Sequence, residues 1–349
     1  MDRARVESFI DEYLRTATGM TTFAVLALAD RIGLLRALAA GEWMTVEELA
    51  STADLDARMV ESILATLAAA RFVAVEDGME RFRLPPEHAV VLVSEDSPLY
   101  LAGWLDLLPA AVERLPELEA AVREGSGVPL SSYDPRVVAG MDRLSGPGVR
   151  RHLVGTWLAE MPDVVERLRS GASVLDVGCG AGNAAIVMAR AFPDSFVTGI
   201  DVDARAVQIA RRKADLEEVS NVAYEVADAG DVAGQFDLIT SFDVIHDLPD
   251  PLGALTSIRR ALTRRGVYLM VEPAVEEDPS AQIGDTRSEL LHGIGTLFCI
   301  PQSLAMDGPG LGPAWGETAA RSLCHEAGFG EVTRLDLNPD HGAFYRVEA

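Results

Sequence analysis

The chain has 349 residues, which exceeds the size at which one hydrophobic core usually remains single, so two domains are expected. It carries 54 acidic residues against 30 lysines and arginines, which gives a formal net charge of −24. Nucleic acids and anionic membranes bind proteins through positive surface charge. This balance therefore argues against both kinds of partner and favours a small or neutral substrate.

Three cysteines, Cys179, Cys299 and Cys324, lie far apart and lack the spacing of a disulfide framework or a zinc site. This pattern favours a reducing compartment, and we expect a cytoplasmic protein. The apolar residues 21–30 resemble the core of a signal peptide, but acidic residues precede them where a basic segment is required, so a buried helix is predicted. No run approaches the ~18 uncharged apolar residues of a membrane span.

Residues 45–69 carry the signals of two short helices. Thr45 and Glu48 match a capping box, and Asp56 is a candidate N-cap for the second helix. The second helix has one apolar face with i, i+3, i+4 and i+7 spacing, formed by Val60, Ile63, Leu64 and Leu67.

Residues 71–85 then alternate apolar and polar side chains around Asp77 and Gly78, which predicts a β-hairpin. Helices followed by a hairpin form a winged-helix arrangement, which we assign to residues 1–97. Many winged helices bind DNA, but residues 1–100 contain nine arginines, no lysine and seventeen acidic residues. Because DNA binding needs several cations to neutralise phosphates, dimerisation or capping of a substrate is the predicted role.

Residues 98–170 are mostly helical in pattern and are predicted to connect two domains. From residue 171 to residue 349, short β-rich runs alternate with amphipathic helices, which is typical of a parallel α/β sheet.

The segment "VLDVGCGAGN", residues 174–183, places Gly178, Gly180 and Gly182 at a predicted strand-to-helix turn. Glycines at such a turn allow a ligand to approach the backbone closely. Their G-x-G-x-G spacing differs from the G-x-G-x-x-G of dinucleotide-binding folds, which argues against a nicotinamide-dependent oxidoreductase. The turn alone is also compatible with a purely structural role.

Two further acidic residues follow the next two predicted strands. Asp201 ends the second strand, where a carboxylate can accept hydrogen bonds from both hydroxyls of a ribose. Asp228 follows the third strand, where it can accept from an exocyclic adenine amine. Because the carboxyl ends of parallel strands meet at one crevice, the two positions together favour a nucleoside-like ligand over two unrelated loop residues.

These motifs resemble the class I S-adenosylmethionine-dependent methyltransferases, in the subgroup with an N-terminal winged-helix domain. The resemblance covers residues 174–273, with "DVGCGAG", "GIDVD", "VADA" and "FDLITSFDVIHDLPDP" as the matching segments, and the winged-helix region. The usual Pro-Gly-Gly turn of the family is replaced by residues 264–266, Arg-Arg-Gly. The resemblance implies an α/β fold with a Rossmann-like, mostly parallel seven-stranded sheet.

The resemblance also implies S-adenosylmethionine as the cofactor and a set of contacts to it. Asp176 orders the glycine-rich turn or contacts the cofactor ammonium, the turn glycines approach the methionine part, and Asp201 binds the ribose. The remaining positions surround the adenine or the cofactor wall: Val202, Asp228, Ala229 and Phe242.

His246, in "DVIHDLPD", is the candidate general base, because an imidazole suits deprotonation of a phenol or hydroxyl near neutral pH. The winged-helix O-methyltransferases place a catalytic histidine in a similar segment, whereas other methyltransferases have a histidine here without that role. Asp247 is a candidate for orienting His246. Asp250 and Pro251 are predicted to cap and begin the next helix.

Residues 277–316 form a predicted insertion that closes over the acceptor as a mobile lid, or else is an ordinary surface loop. Within it, His292 and Gln302 are candidate substrate contacts, and Tyr133 is a third by analogy with the subgroup, with a structural role as the alternative.

The sequence therefore predicts a methyltransferase that acts on a small molecule, most readily at oxygen, and forms a homodimer through its N-terminal domain. Methylation at nitrogen or carbon, and a cofactor-sensing regulator without catalysis, remain alternatives. No cluster of histidine and carboxylate ligands is apparent at the crevice, so no metal is expected.

Overall fold

The computed structural model describes residues 1–76, 78 and 80–348. Its contacts divide the chain into two units, Met1–Pro109 with Ala139–Pro147, and Ala110–Val138 with Gly148–Ala349. Residues of the predicted connector, 98–170, therefore belong partly to each unit. No helix among the described residues is both long and apolar enough to cross a membrane.

The first unit is mainly helical with one small hairpin. Its elements are α1 (Arg3–Arg31), α2 (Leu34–Leu38), α3 (Val46–Ala53), α4 (Ala57–Ala69), β1 (Ala74–Val75), β2 (Phe82–Arg83), α5 (Pro86–Leu92) and most of α6 (Trp104–Val112).

The predicted helix signals of this unit are confirmed. Thr45 and Glu48 form the reciprocal capping box of α3, and the Asp56 side chain accepts hydrogen bonds from the first turn of α4. β1 and β2 pair antiparallel, as the predicted hairpin requires, although Asp77 lies outside the described residues. Helix α4 buries its predicted apolar face in the core of this unit.

The second unit contains a seven-stranded sheet with the strand order β5-β4-β3-β6-β7-β9-β8. All pairs are parallel except those that β9 makes with β7 and β8. Its strands are β3 (Ser173–Val177), β4 (Phe196–Asp201), β5 (Val222–Val226), β6 (Phe236–Phe242), β7 (Leu262–Glu272), β8 (Glu331–Arg334) and β9 (Ala343–Glu348). The predicted mostly parallel α/β sheet is confirmed.

The chain from residue 115 onward also contains nine α-helices among its described residues, and α8 has residues in both units. They are α7 (Leu115–Glu124), α8 (Arg136–His152), α9 (Pro162–Arg169), α10 (Asn183–Ala191), α11 (Ala204–Leu216), α12 (Pro251–Ala261), α13 (Thr286–Ile294), α14 (Ile300–Leu304) and α15 (Gly316–Glu326). Short π-helical turns continue α8 over Leu153–Trp157 and α13 over Gly295–Cys299.

Two buried clusters cover the faces of the sheet, and its topology fixes where a ligand can bind. The strand order reverses at β3, because β4 lies on one side of β3 and β6 on the other. In open α/β sheets the crevice at the carboxyl ends of the strands beside such a reversal is the usual ligand site.

Two local predictions concern the ends of α12. Asp250 accepts a hydrogen bond from Gly253 N–H and Pro251 is the first residue of the helix, as predicted. The Arg264–Gly266 segment, predicted as a turn, instead lies within β7, where the pairing with β6 shifts register between Phe236 and Leu238.

Candidate functional site

The glycine-rich turn connects β3 to α10, and its three glycines have different roles. Gly178, Gly180 and Gly182 all have positive φ, at 64°, 52° and 84°. A Cβ added at Gly178 would lie 2.5 Å from the Val244 side chain, and one at Gly182 would lie 2.6 Å from the Tyr224 hydroxyl. These two glycines therefore permit packing within the protein.

Gly180 faces open space instead. A Cβ added there would meet no described heavy atom within 4 Å. Its N–H donates to the Asp201 carboxylate at 2.9 Å, and the second oxygen of that carboxylate accepts from Asp203 N–H at 2.8 Å. Asp201, at the end of β4, therefore holds the turn that follows β3 in position. Gly180 exposes its backbone, without a side chain, to the crevice.

Asp176 lies beneath the turn, with 1% of its surface exposed. Thr240 Oγ1 donates a 2.7 Å hydrogen bond to its carboxylate from the neighbouring strand β6. Burial, together with the nearby charge of Asp201, raises the pKa of Asp176 to about 7. The site therefore concentrates negative charge in an apolar environment, which favours a ligand that carries positive charge.

Replacement of Asp176 by Asn tests this buried charge. An unfolded carboxylate ionises near pH 4, whereas Asp176 in the folded chain ionises at about 7. The folded state therefore loses stability as pH rises between these values, by up to about 4 kcal/mol from this group. Denaturant titrations without ligand at pH 5 and pH 8 measure the free energy of unfolding at each pH. Its decrease from pH 5 to pH 8 should be smaller for Asp176→Asn than for the wild type. Equal losses in the two proteins would contradict the assignment.

The predicted adenine and wall positions surround the same strand ends. The Val202 side chain is 56% exposed after β4, and Ala229 is buried after β5. Asp228 is exposed and accepts a 2.7 Å hydrogen bond from Gly230 N–H, so part of its acceptor capacity shapes its own turn. Phe242, the last residue of β6, packs on Trp157 with ring centroids 6.0 Å apart.

His246 follows β6 in a 3₁₀ turn, Ile245–Asp247, and is 3% exposed. Its Nδ1 lies 2.6 Å from the Glu272 carboxylate at the end of β7. Because a carboxylate only accepts, Nδ1 carries a proton and donates it, so Nε2 is the nitrogen that can gain or release the second ring proton. Glu272 also accepts hydrogen bonds from Val244 and Ile245 N–H, at 3.3 and 2.9 Å, and so holds the whole turn.

Nε2 of His246 faces a second acidic residue, Asp247, with 3.3 Å between Nε2 and Oδ1. Burial acts to lower the pKa of His246, but the charges of Asp247 and Glu272 outweigh it and hold that pKa well above its usual range. The ring therefore binds a proton at Nε2 readily, and it can accept one from a substrate only when it is in its neutral form. Cys299 and Gln302 interact with Asp247, and Cys299 also interacts with His246.

The insertion at residues 277–316 covers this turn. Gly312 N–H donates to the His246 carbonyl at 3.2 Å, and the Ser303 hydroxyl donates to the Leu248 carbonyl at 3.0 Å. The Glu277 carboxylate accepts from Thr318 Oγ1 at 2.8 Å and joins the two ends of the insertion. The imidazole is buried because these residues lie over it.

Not all predicted acceptor contacts meet at His246. Gln302 is buried beside Asp247. Tyr133 is 2% exposed and donates from its hydroxyl to the Leu297 carbonyl at 2.9 Å, so its polar atom serves the internal packing. His292 is exposed, with Nε2 2.7 Å from Gln282 Oε1. Neither Tyr133 nor His292 has a described hydrogen bond with the His246 turn.

Two participants were absent from the sequence prediction. Glu272 has a signal that would have identified it, because it ends an apolar strand in the way that Asp201 ends β4. Cys299 has none, since only the tertiary fold brings it to His246. The two join Asp247 around one imidazole, and the ligand atoms of His246, Asp247 and Cys299 lie within 4.8 Å of one another. Sequence spacing did not predict this cluster.

Comparison with known proteins identifies both parts of the chain. Residues 168–316 match the model of a methyltransferase domain, and residues 21–94 match an Rv2258c-like winged HTH domain.

Curated relatives match shorter stretches. The ubiquinone biosynthesis O-methyltransferase of Acinetobacter baylyi is 40% identical over 86 residues, 24% of this chain and 35% of the relative. The trans-aconitate 2-methyltransferase of Deinococcus radiodurans is 30% identical over 115 residues, 33% of this chain and 43% of the relative. The chain thus spans less than half the length of these relatives.

Solved structures match over nearly the full length. A putative O-methyltransferase from Nostoc punctiforme gives a TM-score of 0.73 at 18% identity, covering 99% of both chains. The mitomycin 7-O-methyltransferase gives 0.69 at 18% identity, covering 99% of this chain and 98% of that one. Human N-acetylserotonin methyltransferase, solved with S-adenosylmethionine, gives 0.68 at 19% identity, covering 100% and 98%. At these identities the likeness establishes the fold.

Proposed function

Because the chain combines a class I methyltransferase domain with an N-terminal winged-helix domain, we propose that it transfers a methyl group from S-adenosylmethionine to an oxygen atom of a small molecule. The observation that carries this proposal is the arrangement at the carboxyl ends of β3, β4, β6 and β7. Three features meet at this end of the sheet: the open backbone of Gly180, the Asp201 carboxylate and the buried His246–Glu272 pair.

The residues at this edge fit S-adenosylmethionine. A Cβ at Gly180 would fill open space, so the backbone there is accessible to a ligand. Each oxygen of Asp201 accepts one backbone N–H, and a carboxylate oxygen can accept more than one hydrogen bond, so both oxygens can also bind ribose hydroxyls. The buried charge of Asp176 suits the cationic methionine part, and the exposed Val202 supplies an apolar surface for the adenine.

When bound, S-adenosylmethionine supplies an electrophilic methyl group on a positively charged sulfur. The protein's task is to align the acceptor atom with that group and to exclude water, which together account for most catalysis of an in-line displacement. The Gly180 turn and Asp201 orient one reactant, and residues 277–316 exclude water from the other side.

An acceptor hydroxyl must lose a proton, and His246 accepts it at Nε2. Glu272 keeps the other ring nitrogen protonated and orients the ring, and Asp247 stabilises the imidazolium that forms. Because the ring is 3% exposed, Cys299 and the insertion must move for the acceptor to reach Nε2. This gives the insertion the role of a lid.

Transfer of label tests the function. The purified chain is incubated with methyl-labelled S-adenosylmethionine and a panel of small phenols, alcohols, amines and activated carbon acids. We expect label in a low-molecular-mass hydroxyl acceptor together with S-adenosylhomocysteine. Label only in amines or carbon acids would support the alternative of N- or C-methylation, which does not require His246.

A cofactor-sensing regulator is the alternative of a different class, because the matched N-terminal domain is a winged HTH domain. We propose instead that the strongly acidic chain does not bind nucleic acid. A gel-shift titration at low salt with and without S-adenosylmethionine separates the two, and retention of DNA would favour the regulator. A cytoplasmic location, based on the free cysteines, is part of the same proposal.

We also propose a homodimer formed through α1. This helix exposes Phe9, Tyr13 and Met20 at i, i+4 and i+11 spacing, with 67%, 64% and 64% of each residue's surface accessible. Such a face buries apolar surface when a second copy covers it.

The double substitution Phe9→Asp, Tyr13→Asp should convert the dimer to a monomer, because it places charge in the apolar contact. Light scattering after size exclusion measures the mass. Met59→Asp is the matched control, since Met59 is 58% exposed on α4 of the same unit, and it should remain dimeric. A wild-type chain that elutes as a monomer at all concentrations would refute this interface.

A further inference from the structure

We propose that His246, Asp247 and Cys299 form a binding site for a zinc-like divalent cation, and that a cation bound there inhibits the protein. The three residues offer one nitrogen, one oxygen and one sulfur ligand, all within 4.8 Å of one another, with His246 and Cys299 buried and Asp247 partly buried. A mixed N/O/S set of this kind suits Zn²⁺, whereas Mg²⁺ and Ca²⁺ prefer oxygen ligands alone.

The spacing of the ligand atoms fits tetrahedral coordination. Nε2 of His246 and Oδ1 of Asp247 are 3.3 Å apart. Two ligands that each lie about 2.0 Å from a tetrahedral metal are separated by about 3.3 Å. The separation of this pair therefore matches that of two ligands of one metal ion, as well as that of an ion pair.

Asp247 Oδ1 supplies a second, independent observation. Within the described part of the chain, this oxygen is buried and forms no hydrogen bond, although Nε2 is close to it. Apart from its 3.3 Å ion pair with Nε2 of His246, this oxygen has no described partner, and a buried acceptor with unused lone pairs can bind an ion or a water. Coordination would satisfy this oxygen.

The surroundings of His246 also match those of a metal ligand. Metal-binding histidines usually donate their second ring N–H to a carboxylate, which fixes the tautomer and raises the basicity of the ligating nitrogen. Glu272 does this at 2.6 Å from Nδ1, so Nε2 is held ready to coordinate. Gln302 similarly hydrogen-bonds to Asp247. Three protein ligands leave one tetrahedral position for water.

Binding displaces the Cys299 thiol proton and the proton on Nε2 of His246, and both protons pass to solvent. The metal is then coordinated by Nε2, so this nitrogen is no longer available to accept the substrate proton, as the proposed function requires. The inhibitory part of this inference rests on that function, whereas the binding part does not. The reaction itself needs no metal, so removal of metal should not lower the transfer rate.

Two readouts test the site separately. Chelator-treated full-length protein is titrated with Co²⁺, whose thiolate-to-metal charge-transfer absorption reports Cys299 directly, and with Zn²⁺ in competition with a chromogenic chelator. We expect a saturable thiolate band in the wild type. Cys299→Ser and Cys299→Ala should lose the band and bind Zn²⁺ at least about 100-fold more weakly, since loss of even an outer partner costs about 10- to 100-fold. Cys324→Ser makes the same change at a fully buried thiol outside the cluster, and it should keep the thiolate band and the wild-type Zn²⁺ affinity.

The second readout is the ratio of methyl-transfer rates with and without Zn²⁺ for each variant. The wild type and Cys324→Ser should be inhibited, and Cys299→Ser should be less sensitive. A wild type without a Co²⁺–thiolate band, or with equal Zn²⁺ affinity in the Cys299 and Cys324 variants, would overturn the site. Metal binding by a protein that shows no methyl transfer even in its metal-free form would refute the proposed function and leave the site standing.

Discussion

His246→Asn should lower the rate of methyl transfer at saturating cofactor by about 10²- to 10⁴-fold, the range that a positioned general base contributes. Asn is the informative replacement because its amide nitrogen lies where Nδ1 of His246 lies, and it can still donate to Glu272. Removal of that donor would leave Oε2 of the 1% exposed Glu272 without the partner that the ring supplies, at a cost of about 1–3 kcal/mol in stability, although Oε1 would keep its two backbone donors. The loss of rate in the Asn variant therefore reports the absence of a base at Nε2.

Two controls accompany this variant. Affinity for S-adenosylmethionine should stay within a few-fold of the wild type, because His246 does not belong to the Gly180–Asp201 side of the site. His325→Asn on α15 makes the same chemical change at a histidine whose ring contacts only the Phe329 carbonyl in the described hydrogen bonds, and it should retain full activity. Wild-type turnover of His246→Asn would assign His246 a purely structural role.

Asp201→Ala should weaken S-adenosylmethionine binding by about 2–4 kcal/mol, or roughly 30- to 1,000-fold in Kd. The substitution removes the acceptor for the ribose hydroxyls. It also releases Gly180 N–H, whose 2.9 Å hydrogen bond holds the turn in position, so the loss combines a direct contact with poorer preorganisation. Isothermal titration calorimetry measures the affinity.

Asp201→Asn separates these two contributions, because the amide oxygen can still accept from one backbone N–H but lacks the charge. We expect an intermediate affinity. Asp215→Ala, an exposed carboxylate near the end of α11, is the control and should bind like the wild type. An unchanged Kd for Asp201→Ala would refute the placement of the cofactor at this turn.

Local patterns predicted the fold and the position of Asp201 beside the glycine-rich turn. Capping residues such as Thr45 and Asp56, and the alternation of strands with amphipathic helices, act within a few residues of themselves, so the sequence displays them directly. Asp201 could be placed beside the turn because the carboxyl ends of parallel strands converge.

The acceptor side could not be predicted in the same way. Cys299 reaches His246 only because the insertion folds back over the β6 end, and no periodicity in the sequence encodes that return. The distinct roles of the three glycines also depend on tertiary neighbours, since Val244 and Tyr224 crowd two of them and leave Gly180 open. Tyr133, a candidate for the acceptor pocket, instead uses its hydroxyl to bind the Leu297 carbonyl.

A single-turnover experiment tests the central claim most directly. The protein is loaded with methyl-labelled S-adenosylmethionine, freed of excess cofactor and mixed with a hydroxyl acceptor identified in the label-transfer panel. We expect the wild type to move the label to the acceptor oxygen in one exponential phase, whereas His246→Asn retains it on the bound cofactor over the same time. Failure of the wild type to retain labelled cofactor, or equal transfer rates in the two proteins, would contradict this claim.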